Sequence, residues 1–278
     1  MDIRLIALDL DGTALLPDHA SFSPRTEAAL LAAHRRGVAV VPTTGRQFAV
    51  LPPPLQVRQP WADLAVLCNG AEVRRLATGE VLAAHYMAGS ELLPLIREAV
   101  RLGLPIELSA GGTLYLTQAD WDREREMEGL MFHMGVLGHR GRAVEGTLAD
   151  FAAASPLAFE KVNLLGLTPA LWGELAPLCR RLPLSCVWSS PRSMEITHRA
   201  ATKASGLGTV CRLLGVELSQ VMALGDSGND LSSLTAAGLG VAMGDAPEEV
   251  KAAADAVTAS NREDGAALAI ERYVLGQS

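Results

Sequence analysis

The sequence predicts an α/β protein: a doubly wound, Rossmann-like parallel sheet core with an inserted α+β domain. Three observations carry that reading. First, the apolar runs Ile3–Leu8, Val38–Val41, Leu64–Leu67 and Val221–Leu224 lead into glycine, hydroxyl, amide or acidic residues. Near-continuous apolar runs of this length are what strands buried on both faces require. Second, helix-period segments separate these runs at both ends of the chain. Third, the rhythm changes from about residue 85 to an α+β pattern and returns near residue 200. The predicted organisation is a discontinuous core, 1–84 and 196–278, and an insert, 85–195.

The elements follow in order. Ser23-Pro24 opens a helix, serine as N-cap and proline in the first turn, and Gly37 closes it. Pro52-Pro53-Pro54 keeps any helix between Arg46 and Gln59 short. Ala71–Arg75 and Val81–Ala84 read as a hairpin about Ala77-Thr78-Gly79-Glu80. In the insert, Ser90 to Leu102 reads as a helix. Ile106–Leu108 and Thr113–Leu116 read as strands flanking Gly111-Gly112. The charged, glycine-bearing stretch from Trp121 to Gly146 shows no clear period. Ala158–Leu167 reads as a strand, Pro169–Arg181 as a helix, and Leu184–Trp188 and Met194–Thr197 as strands. Lys203 begins a helix running to about Leu214.

Composition narrows the classes. The chain has 278 residues, 49% hydrophobic and only 4% aromatic, so its core must be built mainly of Leu, Ala and Val. A net charge of −7 argues against nucleic-acid binding through a general basic field. No apolar run approaches the ~18 residues of a spanning helix, and the N-terminus leads directly into a strand, so neither membrane insertion nor a signal peptide is expected. Cys68, Cys179, Cys186 and Cys211 form no C-x-x-C pair and read as reduced thiols of a cytoplasmic protein. The six histidines show no ligand spacing. Oligomeric state is not legible.

The polar residues at the strand ends carry the chemistry. Asp9-Leu10-Asp11-Gly12-Thr13 delivers two carboxylates and a turn to the end of the first strand. Thr43-Thr44-Gly45-Arg46 follows the second, Cys68-Asn69-Gly70-Ala71 the third, and Gly225-Asp226-Ser227-Gly228-Asn229-Asp230 the run from Val221. Open parallel sheets bind ligands at the carboxyl ends of their strands, so these segments are expected to meet. Taken singly, each residue has a plainer reading: Asp9 and Asp11 as turn residues, Asp226 as a helix N-terminal acid, Lys203 as a solvated lysine.

In set and order the segments resemble the four motifs of the haloacid-dehalogenase (HAD) phosphohydrolase superfamily, and Cys68-Asn69-Gly70-Ala71 resembles a signature of its Cof-type branch, which carries a large α/β cap. Ala204 after Lys203 and Pro42 before Thr43 depart from the family pattern. The resemblance implies Asp9 as nucleophile, Asp11 as general acid and base, and Lys203 as the charge that steadies both nucleophile and phosphoryl group. It implies phosphate contacts from Leu10, Thr44, Gly45, Lys203 and Asn229, and Mg²⁺ held by Asp9, Asp11 (through its backbone C=O) and Asp226. Asp230 and Asn69 are expected to support the site. Arg46 is read equally as a substrate contact and as the partner of a core acid.

The implied activity is Mg²⁺-dependent hydrolysis of small phosphomonoesters, sugar phosphates foremost, through an aspartyl-phosphate. A phosphomutase of the same superfamily and a non-catalytic phosphate sensor are the alternatives. The insert is expected to set specificity, with Glu107, Tyr115, His133, Arg140 and Arg142 as candidate contacts. Replacing Lys203 is expected to cost far more rate than stability, as a cleft-facing lysine adds little packing.

Overall fold

The computed structural model describes residues 2–127 and 131–277. It divides into two compact units, Met1–Ala84 with Thr202–Ser278, and His85–Ala201. No helix among the described residues is long and apolar enough to cross a membrane.

The first unit begins with β1 (Leu5–Leu8), every residue of which is buried. A tight turn, Leu10–Ala14, follows with Gly12 at φ +78°. Next comes α1 (Pro24–Arg35), whose start is fixed by Ser23: its Oγ accepts a hydrogen bond from the Thr26 N–H at 3.0 Å. Gly37, at φ +79°, ends the connection to β2 (Ala39–Pro42). The proline-rich stretch permits only a 3₁₀ turn, Phe48–Val50, and the single-turn α2 (Pro53–Gln56). β3 (Leu64–Leu67), β4 (Glu72–Arg75) and β5 (Val81–Ala84) form an antiparallel sheet.

The second unit holds β6 (Met87–Ala88), α3 (Gly89–Arg101), β7 (Ile106–Ala110), β8 (Thr113–Leu116), α4 (Gln118–Arg125) and α5 (Met131–Arg140). It continues with β9 (Gly141–Ala143), α6 (Leu148–Ala154), β10 (Ala158–Phe159), β11 (Lys161–Leu165), α7 (Pro169–Cys179), β12 (Leu184–Ser190) and β13 (Ser193–His198). Its main sheet has the order β12-β13-β11-β7-β8-β9, antiparallel except where β9 joins β8 in parallel. Strand alternation gives the sheet two unlike faces. Ile106, Leu108, Val162, Leu164, Met194 and Ile196 pack with Leu92, Leu95 and Ile96 of α3 into one apolar core. Glu107, Ser109, Lys161, Asn163 and Thr197 alternate with them on the other face and are nonetheless buried. The segment expected to be one strand, Ala158–Leu167, is divided: β10 pairs with β6, and β11 with β7 and β13. The stretch without a clear period contains α5, β9 and most of α4, and its residues 128–130 lie outside those described. A boundary at 195 would cut β13; the unit runs to Ala201.

The chain returns to the first unit with α8 (Lys203–Leu214), β14 (Val221–Gly225), α9 (Leu231–Ala236), β15 (Leu239–Ala242), α10 (Glu248–Ala253), β16 (Ala256–Val257) and α11 (Gly265–Tyr273). The parallel sheet has the order β16-β15-β14-β1-β2. β1 lies between β14 and β2, with Leu8 opposite both Leu224 and Pro42. Its Leu5, Ile6 and Leu8 are fully buried, each burial stabilising by roughly 1.5–3 kcal/mol. Leu8→Ala would cost about 2–5 kcal/mol and loosen the strand that carries Asp9.

Candidate active site

The register of three parallel strands assembles the site. Because Leu8 faces Leu224 on one side and Pro42 on the other, the residues just beyond these strand ends fall side by side. They are Asp9, Asp226 and the Thr43-Thr44 pair. Asp9 N–H continues the ladder to Leu224 O at 3.1 Å, and Thr43 N–H to Leu8 O at 2.8 Å, so Pro42 does not end the pairing. α8 supplies Lys203 from its first turn, where Thr202 is the N-cap.

Lys203 is the hub. Its Nζ donates to Asp9 Oδ1 and to Asp230 Oδ1, both at 2.6 Å. Only 1% of the residue is exposed, which corrects the expectation of a cleft-facing lysine that matters little to stability. Burial opposes its charge, but Asp230 and Asp9 outweigh burial and raise its pKa. The other oxygen of Asp230 accepts the Asp226 and Ser227 N–H groups at 3.0 and 3.1 Å. Asp230 thus fixes both the lysine and the Asp226 loop.

Glycine is required here for space. A Cβ on Gly12 would lie 2.3 Å from Asp226 Oδ2, and one on Gly225 2.3 Å from Asp230 Cγ. Ligand atoms of Asp9, Asp226 and Asp230 lie within 4.8 Å of one another. Asp9 and Asp226 are the side-chain ligands that the family resemblance implies, and Asp230 stands beside them. The donor set is all oxygen, as Mg²⁺ requires. Charge points the same way. Burial raises the pKa of Asp9 and Asp226, that of Asp226 to about 7, and neighbouring Asp230 adds to the rise in both. A divalent cation would relieve this repulsion and restore Asp9 as an ionised nucleophile.

Asp11 belongs to a separate cluster. Arg46 grips it bidentately, Nε to Oδ2 at 2.7 Å and Nη2 to Oδ1 at 2.5 Å, and His19 Nδ1 lies 2.9 Å from Oδ1. Burial pushes the Asp11 carboxyl up, but Arg46 and His19 more than reverse this and hold it below the ordinary value. Of the two readings of Arg46, the structure shows the acid partner. His19, read in the sequence as one of six scattered histidines, was missed; its place in the loop after Gly12 was the available signal.

Thr44 and Asn69 stand beside these groups on a braced loop. Asn69 N–H donates to Thr44 O at 3.1 Å, and Cys68 N–H to Arg46 O at 3.0 Å. These bonds hold Cys68 and Asn69 at φ +50° and +54°, which non-glycine residues adopt only under local constraint. Asn69 Oδ1 accepts from Asn229 Nδ2 at 3.1 Å, joining the loops after β3 and β14. Thr44 Oγ1 accepts the Arg46 N–H at 3.1 Å and keeps its own O–H to donate. Leu10, adjoining Asp9 in the chain, is buried, and Gly45, adjoining Thr44, is partly exposed.

Within the second unit the expected residues divide. Glu107 and His133 meet at 2.9 Å. Tyr115 stacks on Phe151 at 4.9 Å, on the apolar side of the sheet. Arg140 and Arg142 are exposed.

Comparison with known proteins shows the family. Residues 6–270 match the model of the haloacid dehalogenase-like hydrolase family. Phosphatase YwpJ of Bacillus subtilis is 31% identical, over 95% of this chain and 98% of that protein. Pyridoxal phosphate phosphatase YbhA of Escherichia coli is 28% identical, over 99% of this chain and 100% of that protein. The HAD subclass IIB sugar phosphatase BT4131 superposes with a TM-score of 0.83 at 27% identity, covering 97% of this chain and 98% of that one. The chain belongs to the haloacid dehalogenase-like hydrolase family. Within it the chain is an HAD-type phosphatase of the Cof-like, subclass IIB branch.

Proposed function

We propose that this protein hydrolyses phosphomonoesters of small metabolites, sugar phosphates foremost, with Mg²⁺ as cofactor and Asp9 as covalent nucleophile. One observation carries the reading: Asp9, Asp226 and Asp230 bring ligand atoms within 4.8 Å of one another at the end of β1, and the Lys203 ammonium bonds Asp9 and Asp230. The similarity to a sugar phosphatase and a pyridoxal phosphate phosphatase supports the substrate class.

In the first step an Asp9 carboxylate oxygen attacks phosphorus and the bond to the ester oxygen breaks. Asp11 gives that oxygen its proton, releasing an alcohol and leaving an aspartyl-phosphate. In the second step Asp11 takes a proton from water. The water oxygen attacks phosphorus, the bond to Asp9 breaks, and phosphate departs. Mg²⁺ held by Asp9, Asp226 and the Asp11 carbonyl would supply positive charge against the phosphoryl oxygens. Lys203 holds Asp9 in place and adds charge, while Thr44, Asn229 and the Leu10 and Gly45 N–H groups bind the oxygens. The Arg46 grip keeps Asp11 ionised and so suits its part as base. To act as acid, Asp11 must be released from that grip, and an anionic substrate drawing on Arg46 would provide the release.

The test is phosphate release from a panel of sugar phosphates and other phosphorylated metabolites, with and without Mg²⁺, using Asp9→Asn as the control. We expect Mg²⁺-dependent release that Asp9→Asn abolishes. Release undiminished by excess chelator, or none from any member, would overturn the reading.

A further inference from the structure

We propose that the second unit contains a site for a divalent transition-metal ion of the Zn²⁺ type, formed by Glu107 of β7, Glu124 of α4 and His133 of α5. Their ligand atoms lie within 4.8 Å of one another. His133 Nε2 is 2.9 Å from Glu107 Oε1 and 3.6 Å from Glu124 Oε2. Donors of one tetrahedral ion with bonds of about 2.0–2.1 Å stand roughly 3.3–3.4 Å apart, a spacing that the two His133 separations bracket.

The independent observation is Glu124. It is fully buried, and its carboxylate makes no hydrogen bond within 3.5 Å, its contact being the 3.6 Å ion pair to His133. Leaving a buried carboxyl group unsatisfied is costly, and the arrangement persists only where something else repays it. One oxygen faces His133, within reach of the ion position. The surroundings suit a ligand set. Asn163 Nδ2 donates to Glu107 Oε2 at 2.7 Å, orienting that carboxylate and leaving Oε1 to the cluster, as outer partners of metal ligands do. His133 is partly exposed and gives an entry path.

Burial raises Glu124 to about 7, and Glu107 with Glu124 overcomes the effect of burial on His133. Binding would therefore release the protons that these groups share. An imidazole nitrogen with two carboxylates selects a first-row transition ion over Mg²⁺ or Ca²⁺, which prefer all-oxygen sets. Three protein ligands leave one position for water. The ion would tie β7, α4 and α5 together.

The full chain, stripped with chelator, is titrated with Co²⁺ as a spectroscopic probe, with Zn²⁺ as competitor. Bound ion per chain is counted by equilibrium dialysis. The parent is compared with Glu124→Gln, which keeps shape, and with His133→Gln, which alters a partly exposed position and serves if the buried variant does not fold. We expect the parent to bind one more Co²⁺ than either variant. Its visible absorption should be displaced by Zn²⁺, remain in millimolar Mg²⁺ and be lost in both folded variants. Equal stoichiometry and spectra in parent and folded variants would overturn the site, as would parent absorption that millimolar Mg²⁺ removes.

Discussion

Replacing Lys203 by methionine tests the electrostatics of the candidate active site. Methionine keeps much of the volume and removes the ammonium. The lysine is fully buried and paired at 2.6 Å with both Asp9 and Asp230. Removing one partner of a buried ion pair costs roughly 3–5 kcal/mol, because the remaining charge is left uncompensated. Two contacts are lost together, but the carboxylates limit the loss by taking up protons, as Asp226 with its pKa near 7 already does. The expected cost therefore stays near 3–5 kcal/mol. At about 2–4 °C per kcal/mol for a domain of this size, melting should fall by roughly 6–20 °C in chelator. A divalent ion that binds only the folded state, at a hundredfold excess over its Kd, returns about 2.7 kcal/mol. Mg²⁺ should thus recover much of the stability but not the turnover. Calorimetry with and without Mg²⁺, beside circular dichroism and phosphate release, measures all three. Melting within about 2 °C of the parent in chelator, or no recovery in Mg²⁺, would refute the argument.

Asp9→Asn should keep the fold and lose turnover by orders of magnitude; more than about a tenth of the parent rate would exclude a covalent nucleophile. Ca²⁺ should inhibit, since its longer bonds and higher coordination would let both Asp9 oxygens bind the ion, and Ca²⁺-supported turnover at the Mg²⁺ rate would contradict this. Stability of the chelated protein should fall as pH rises. Asp9, Asp226 and Glu124 have raised values, the last two about 7, so between pH ~4 and these values the folded state binds the more protons. Mg²⁺ should lessen the slope, and melting temperatures at pH 5.5 and 7.5 with and without the ion would check it. In Arg46→Ala the Asp11 carboxyl loses its bidentate partner and its pKa rises. The alkaline limb of kcat/KM against pH, set by the protonated Asp11 that the first step needs, should then move to higher pH, and a folded variant with an unmoved limb would show that Arg46 does not govern Asp11.

The catalytic unit was legible because its chemistry sits at the ends of elements with local signatures. An apolar run followed by Asp9-Leu10-Asp11-Gly12 announces both the strand and the turn. The parallel register then brings Asp226 and Thr44 beside Asp9 without further information. The burial of Lys203 was not legible, because it depends on two acids that only folding brings to it. Nor was the direction in which Arg46 points, since its partner Asp11 lies 35 residues away.

The second unit was harder for a related reason. Alternation in β7, β11 and β13 separates an apolar face from a polar one, and the sequence carries that pattern. It does not carry the burial of the polar face, where Glu107 meets His133 from a distant helix. Gln118–Arg125 is strongly polar and lies mostly in the stretch without a clear period, yet it places Glu124 in the interior with no hydrogen bond within 3.5 Å. A side chain so far from its ordinary environment is a physical anomaly of the folded chain, detectable only when burial and hydrogen bonding are considered together. That anomaly, and not any motif, separates the Glu107, Glu124 and His133 cluster from the many surface groupings of acids and histidines that bind nothing.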